Sequence, residues 1–273
     1  MKVDFRADDG HKMRVYDEKA VDPIQMRVRN HYSVMHRQQT VEFVKEMHRK
    51  WLNFDHAAMP ILDCLDLLSN FLDESDPDVD EPNIMHAYQT AERLRAAVPD
   101  KPWMHLAGLI HDLGKVMSCW GEQQWAVTGD TYPVGCAWAP SIVYGVKSFD
   151  GNPDNLHPVY STRLGIYEEA CGLDNLLMTW SHDEYMYQVL KNHGTTLPDD
   201  ALYAIRFHSF YPNHAHRDYA YFENDRDRAL APAVKELNSC DLYSKNDQTP
   251  DIEQLKTYYQ ALIDQYIPGT VKW

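Results

Sequence analysis

The stretch Trp103-Met104-His105-Leu106-Ala107-Gly108-Leu109-Ile110-His111-Asp112-Leu113-Gly114-Lys115 constrains this chain more than any other. A near-continuous apolar run ends in an imidazole, a carboxylate, a glycine and a lysine. Such a run commits its end to the interior. An unpaired charge buried there is costly unless it is paired or shifts its pKa until it is neutral. A metal ion is the simplest partner that satisfies both His111 and Asp112. The chain must then fold so that further ligands converge on this point.

Four other residues of the right type lie in apolar helical segments. They are His86 in Ile84-Met85-His86-Ala87-Tyr88, His182 in Thr179-Trp180-Ser181-His182, His208 in Ile205-Arg206-Phe207-His208, and Asp241 in Ser239-Cys240-Asp241-Leu242. With His111 and Asp112 they form an all-nitrogen and oxygen set that suits Fe, Mn, Co or a catalytic Zn. Cys64, Cys119, Cys136, Cys171 and Cys240 are odd in number and never spaced C-x-x-C. They read as free thiols of a reducing compartment rather than disulfides or a zinc-thiolate site. Six protein ligands are too many for one open ion and suit two. Neighbours on a helix point ~100° apart, so His111 can face one ion while Asp112 bridges both. For any one of these histidines, a hydrogen-bonded core position is the alternative. The chain holds 14 histidines, and several, such as His11 and His48, read as surface residues.

Residues 1–30 are polar and aperiodic and read as an irregular arm. Residues 31–273 read as a single helical domain. Val34, Val41, Val44, Met47 and Trp51 predict one helix from His31 to Trp51. Ile61 to Phe71 predicts a second. Asp73 to Pro82 is an acidic, proline-punctuated loop. Asn83 is a candidate cap for a helix to about Val98, and Pro102 starts the helix that holds His111-Asp112. Trp120 to Asn155 predicts loops with one short hairpin. Helices are expected again near Thr162–Ala170, Asp183–Lys191, Asp199–Phe207, Ala229–Leu242 and Ile252–Tyr266. The fold class is therefore all-α, a helical bundle with a few short strands or a hairpin.

Charge narrows the partners. The net charge is −15 over 273 residues, which repels nucleic acid and anionic membrane surfaces. Met1 to Phe5 carries no apolar signal core, and no apolar stretch reaches the ~18 residues of a membrane span. A cytoplasmic protein is expected. Lys115 follows Asp112 by three residues and Lys245 follows Asp241 by four. Both spacings share a helix face, so each lysine is a candidate to stand beside a metal-binding carboxylate and reach a polar substrate. A charge pair or a solvated surface lysine is the alternative.

The order His86, His111-Asp112, Asp241 resembles the HD-domain superfamily of helical, metal-dependent proteins. Longer strings narrow this. Asp73-Glu74-Ser75-Asp76-Pro77-Asp78-Val79-Asp80, His111-Asp112-Leu113-Gly114-Lys115-Val116, Gln124-Trp125-Ala126-Val127 with Gly129-Asp130-Thr131, His182-Asp183-Glu184-Tyr185-Met186-Tyr187-Gln188-Val189 and Arg206-Phe207-His208-Ser209-Phe210-Tyr211-Pro212 resemble the inositol oxygenase family from about Gln39 to Trp273. The resemblance implies an HD-domain-like fold and a mixed-valent Fe(II)/Fe(III) di-iron centre. O2 would be the co-substrate in ring cleavage of myo-inositol to D-glucuronate, with no external reductant. It implies His86, His111, Asp112, His182, His208 and Asp241 as iron ligands, Asp112 bridging. It places Asp73, Glu74, Ser75, Lys115, Gly129, Asp130, His208, Ser209 and Lys245 around the inositol. It also implies a lid arginine, for which Arg14 in Met13-Arg14-Val15-Tyr16 is the better match and Arg6 the poorer. A monomer is expected. By the same resemblance, a ferric superoxide removes hydrogen from C1 and the C1–C6 bond breaks, with Lys115 stabilising alkoxide charge and Asp112 holding the ions.

Inositol is neutral and carries six hydroxyls, so a ring of mixed donors and acceptors suits it better than a phosphate cradle. The rival is an HD-type metal-dependent phosphohydrolase, with Lys115 and Lys245 on phosphate. Asp73, Asp76 and Asp78 near the expected pocket count against it. A non-catalytic metal-binding scaffold is a third class, disfavoured because the ligand set is complete.

Overall fold

The computed structural model describes Phe5, Arg6, Gly10 and residues 12–78, 82–244 and 250–273. Its helices run in chain order as α1 Pro23–Gln38, α2 Val41–Trp51, α3 Ile61–Asp66, α4 Asn83–Ala97, α5 Pro102–Ile110 and α6 Val116–Cys119. There follow α7 His182–His193, α8 Asp199–Phe207, α9 Tyr211–His214, α10 Asp225–Ser244 and α11 Ile252–Tyr266. The sheet among the described residues is two short antiparallel strands, β1 Ala58–Met59 and β2 Val271–Lys272. The architecture is an all-helical bundle. None of the described helices is long and apolar enough to cross a membrane.

Two apolar cores flank the centre. The larger takes the buried faces of α2 to α5, α7, α8, α10 and α11. The smaller joins Val28, Tyr32 and Met35 of α1 to Tyr132, Phe149, Phe207 and Phe222. Within the bundle α4 packs on α5 and α10, and α8 on α7, α10 and α5. These five helices carry the candidate ligands at or near their facing ends.

Several local expectations are corrected. The helix read from His31 to Trp51 is two. Thr40 turns extended and caps α2 by accepting from Phe43 N–H, while Gln39 is buried with its side chain on both backbone groups of Trp180. The helical period survives across this break, which hid it. The arm read as irregular to residue 30 becomes helical at Pro23, capped by Asp22 on Gln25 N–H at 2.9 Å; Asp-Pro is the expected start. The segment Thr162–Ala170 is turns, with φ of 60° at Gly165 and 54° at Ala170. The stretch from Trp120 to Asn155 has no described hairpin. It makes one isolated bridge, Pro133 to Met178, and three single 3-10 turns. The strand pairing lies instead at the chain's end, where Trp273 N–H donates to Ala57 carbonyl at 2.9 Å. Asn83 is not the cap of α4. Pro82 holds that position without a side-chain bond, and the Asn83 amide is used elsewhere.

Candidate metal centre

Five helices bring the six expected ligands together. His86 stands in α4 and Asp241 in α10, while His182 is the first residue of α7. His111 follows α5 and His208 follows α8, both still right-handed helical as C-caps. His86 Nε2 and His111 Nε2 lie 2.8 and 3.2 Å from Asp241 Oδ1. On the other side, His182 Nε2 lies 3.2 Å from His208 Nε2 and 3.2 Å from Asp112 Oδ1. Ligand atoms about 2.1 Å from one shared ion stand roughly 3 to 3.4 Å from each other. Three of the four spacings fall in that range and the fourth, 2.8 Å, lies just below it, so the atoms form two adjacent candidate ligand groups. Asp112 turns Oδ1 to the His182–His208 group and Oδ2 to the other, 3.6 Å from His111 Nε2 and 3.8 Å from His86 Nε2.

The imidazoles are aimed by the helix ends. A helix leaves its last carbonyls without intrahelical donors. His111 Nδ1–H donates to Gly108 carbonyl at 2.7 Å and His208 Nδ1–H to Ile205 carbonyl at 2.8 Å, the same three-residue reach at two helix ends. His182 Nδ1–H donates to Val127 carbonyl at 2.7 Å. Each bond fixes the tautomer and leaves the Nε2 lone pair facing inward. Two such lone pairs 3.2 Å apart repel unless a cation lies between them. A proton can serve: Asp183 and Asp112 outweigh burial and push the His182 pKa up to about 10. A metal ion serves all the groups at once, so the donor set fits one. His86 Nδ1 is buried without a hydrogen-bond partner.

Gly114, in the 3-10 turn Leu113–Lys115 that follows α5, makes the close approach of this turn to α7 possible. A Cβ there would lie 2.2 Å from the His182 carbonyl oxygen and 2.8 Å from its Cα. After Ile110 the chain passes into a 3-10 turn, Leu113–Lys115, so the helix does end before Lys115. The turn keeps the pairing all the same, with Lys115 Nζ 2.8 Å from Asp112 Oδ2 and 2.7 Å from Asp73 Oδ2. Burial alone would raise both carboxyls; Lys115, with His111 beside Asp112 and Ser75 beside Asp73, outweighs it and holds them below the usual range. Burial would lower the Lys115 pKa, and the two carboxylates raise it instead. Lys115 is thus a buried, charged ammonium.

The cavity beside this cluster is small, about 90 Å³, room for roughly three waters at their liquid volume of ~30 Å³ each. Asp73, Asp76, Asp112, Asp130 and Asp241 line it against the cations Arg14 and Lys115. Ser75, Gly129, His208 and Ser209 also line it. Gly129 has φ +100°, and a Cβ would crowd Met35 and Tyr32 at 3.1 and 3.3 Å, so this wall needs glycine. Glu74 is exposed, outside the lining, and held below the usual carboxylate range chiefly by a hydrogen bond from His31. Arg14 crosses the mouth. Its Nη2 lies 2.5 Å from Asp130 Oδ2 and its guanidinium 3.5 Å from the Tyr211 ring centroid. Its φ of 55° is a left-handed cost, held by its N–H on Asp78 Oδ1 at 2.8 Å. Arg6 lies away from the cavity and is exposed. Lys245 lies outside the described residues.

Reasoning from sequence missed other members. Tyr16, Tyr32 and Tyr211 line the cavity, and the Tyr32 hydroxyl donates at 3.5 Å to Asp130 Oδ1. Tyr32 sits in a helical pattern and reads as core, while Tyr16 and Tyr211 enter only as neighbours of Arg14 and of Ser209 in their motif strings, with no role of their own. Asn83 donates its amide to Asp112 Oδ2 at 2.9 Å. Asp183 is buried with Oδ1 3.0 Å from His182 Nε2 and Oδ2 accepting from Ser209 N–H at 3.0 Å. Its position next to His182 was a signal, obscured because acidic residues are common in a helix's first turn.

Comparison with known proteins follows the same lines. The family described as Myo-inositol oxygenase matches residues 25–273. The chain is 53% identical to an inositol oxygenase of Danio rerio over 247 residues, 90% of this chain and 89% of the relative. It is 52% identical to the inositol oxygenase of Homo sapiens, covering 92% and 88%. It is 47% identical to inositol oxygenase 2 of Arabidopsis thaliana, covering 97% and 84%.

Proposed function

The chain belongs to the myo-inositol oxygenase family and is an oxygenase acting on inositol; we propose that it opens the ring of myo-inositol to D-glucuronate with O2 at a pair of iron ions. The observation that carries this is the paired cluster, two groups of inward-facing ligand atoms sharing the Asp112 carboxylate. His86, His111 and Asp241 would hold one ion, His182 and His208 the other, and Asp112 both. Mixed-valent iron, when bound, supplies O2 chemistry and acidifies a coordinated alcohol.

The chain's own residues do the rest. Lys115 Nζ stays charged inside the cavity and donates to the substrate oxygen that becomes anionic, where a buried cation is worth far more than in water. Asp130 accepts from hydroxyls, and Ser209 both donates and accepts. Asp73 and Ser75 form the opposite wall, with Ser75 Oγ donating to Asp73 Oδ1 at 2.6 Å. Arg14 closes the mouth and excludes water. Glu74 supports the wall from outside, and Lys245, which lies outside the described residues, is a further candidate donor to substrate. The segment before α1 acts as cover and residues 23–273 as one catalytic domain, working as a monomer in the cytoplasm, where the five free cysteines stay reduced.

A phosphohydrolase reading is disfavoured by the lining, in which five carboxylates face two cations and would repel a phosphoester. The test loads the protein with iron anaerobically, adds myo-inositol and O2, and measures glucuronate and oxygen uptake. Glucuronate is expected. Its absence from protein holding two irons would sink the proposal, and phosphate release from phosphoesters would favour the rival.

A further inference from the structure

Asn83 is 4% exposed and lines the cavity at the first turn of α4, one helical turn before His86. Its Nδ2 donates to Asp112 Oδ2 at 2.9 Å. The reverse amide orientation would press two acceptors together, so the assignment is fixed by chemistry. Asn83 Oδ1 therefore faces away from Asp112. It is buried and has no hydrogen-bond partner. A buried amide oxygen in that state is destabilising and marks a place where something else supplies a donor.

The cavity walls do not supply it. No donor of the described residues, Lys115 and Arg14 included, lies within hydrogen-bond reach of Asn83 Oδ1. A hydroxyl of a molecule bound in the cavity can supply the missing O–H. We propose that Asn83 is a substrate-contacting residue that fixes Asp112 through Nδ2 and accepts a hydrogen bond through Oδ1 from one hydroxyl of the bound polyol. This rests on the reading of the cavity as an inositol site. It makes Asn83 a determinant of specificity, because an oxygen that only accepts rejects a ligand whose matching group is a carbonyl or a hydrogen.

The test uses metal-loaded protein without O2, so that binding is read without turnover. Myo-inositol and each monodeoxy inositol are titrated by calorimetry into wild type and Asn83→Ala at saturating metal, with metal content measured. Asn83→Ala is expected to keep two ions and bind myo-inositol about tenfold more weakly. One deoxy inositol, itself about tenfold weaker on wild type, should lose nothing further on the variant. Unchanged inositol binding overturns the proposal. So does a loss equal for every deoxy compound, or one that follows only from lost metal. Should a thermal melt show Asn83→Ala unfolded, Asn83→Ser is read in the same way. If wild type with two ions binds no inositol, it is the assignment of the cavity that fails.

Discussion

Asp112 and Lys115 touch each other, yet their removal should have different consequences. Asp112→Ala takes away the one carboxylate that faces both ligand groups, so it should lose bound metal together with activity. Lys115 holds no lone pair toward the cluster and is charged, so Lys115→Ala should keep metal and lose about 100-fold or more in kcat. Iron content and turnover on the same preparations check both, and two irons on Asp112→Ala would refute the bridge. At this scale the ligand types were readable. A His or Asp inside an apolar segment needs a partner wherever the segment goes. Asn83 and Asp183 were not readable as members of the cluster, because asparagine at a helix start and aspartate in a first turn are ordinary local choices.

Elements translate those residues into distances. Gly114→Ala puts a Cβ within 2.2 Å of the His182 carbonyl, and backbone cannot yield as a side chain tip does. It should force the Leu113–Lys115 turn away from the start of α7, costing about 1–3 kcal/mol or more and lowering metal occupancy. A melt with a metal assay on the variant checks this. On α1, His36 is stacked 4.2 Å from Phe149 with Nδ1 2.7 Å from Ser148 Oγ. Burial first, then His31, lowers its pKa to about 3. The unfolded chain takes this proton near ~6.5, so between the two values the unfolded state binds more protons and stability falls with falling pH. The melting temperature should therefore drop from pH 7 toward 4, and drop less steeply in His36→Phe. Helix spans such as Asp199–Phe207 and Ile252–Tyr266 were legible from period and caps. The α1–α2 break was not, since Gln39 leaves the helix to bond Trp180, 141 residues away.

Across the whole molecule, the candidate ligands come from the ends or bodies of five helices and from residues 86 to 241 in sequence. An unfolded chain has no such site, so bound metal stabilises only the folded state. At a hundredfold excess over Kd this amounts to ~2.7 kcal/mol, a shift of several degrees. Removing metal with a chelator should lower the melting temperature by that amount and reloading should restore it. An unchanged melt would show that the ligands do not clamp the bundle. The sequence alone determined the helical class and the family and nominated the candidate ligand set, because side-chain type, apolar period and motif strings are local properties. Only the tertiary structure decided which lone pairs face each other, that Arg14 rather than Arg6 reaches the cavity mouth, and that Asn83 turns from cap to partner of Asp112. Those depend on angles and contacts between segments far apart in the chain, which no local pattern encodes.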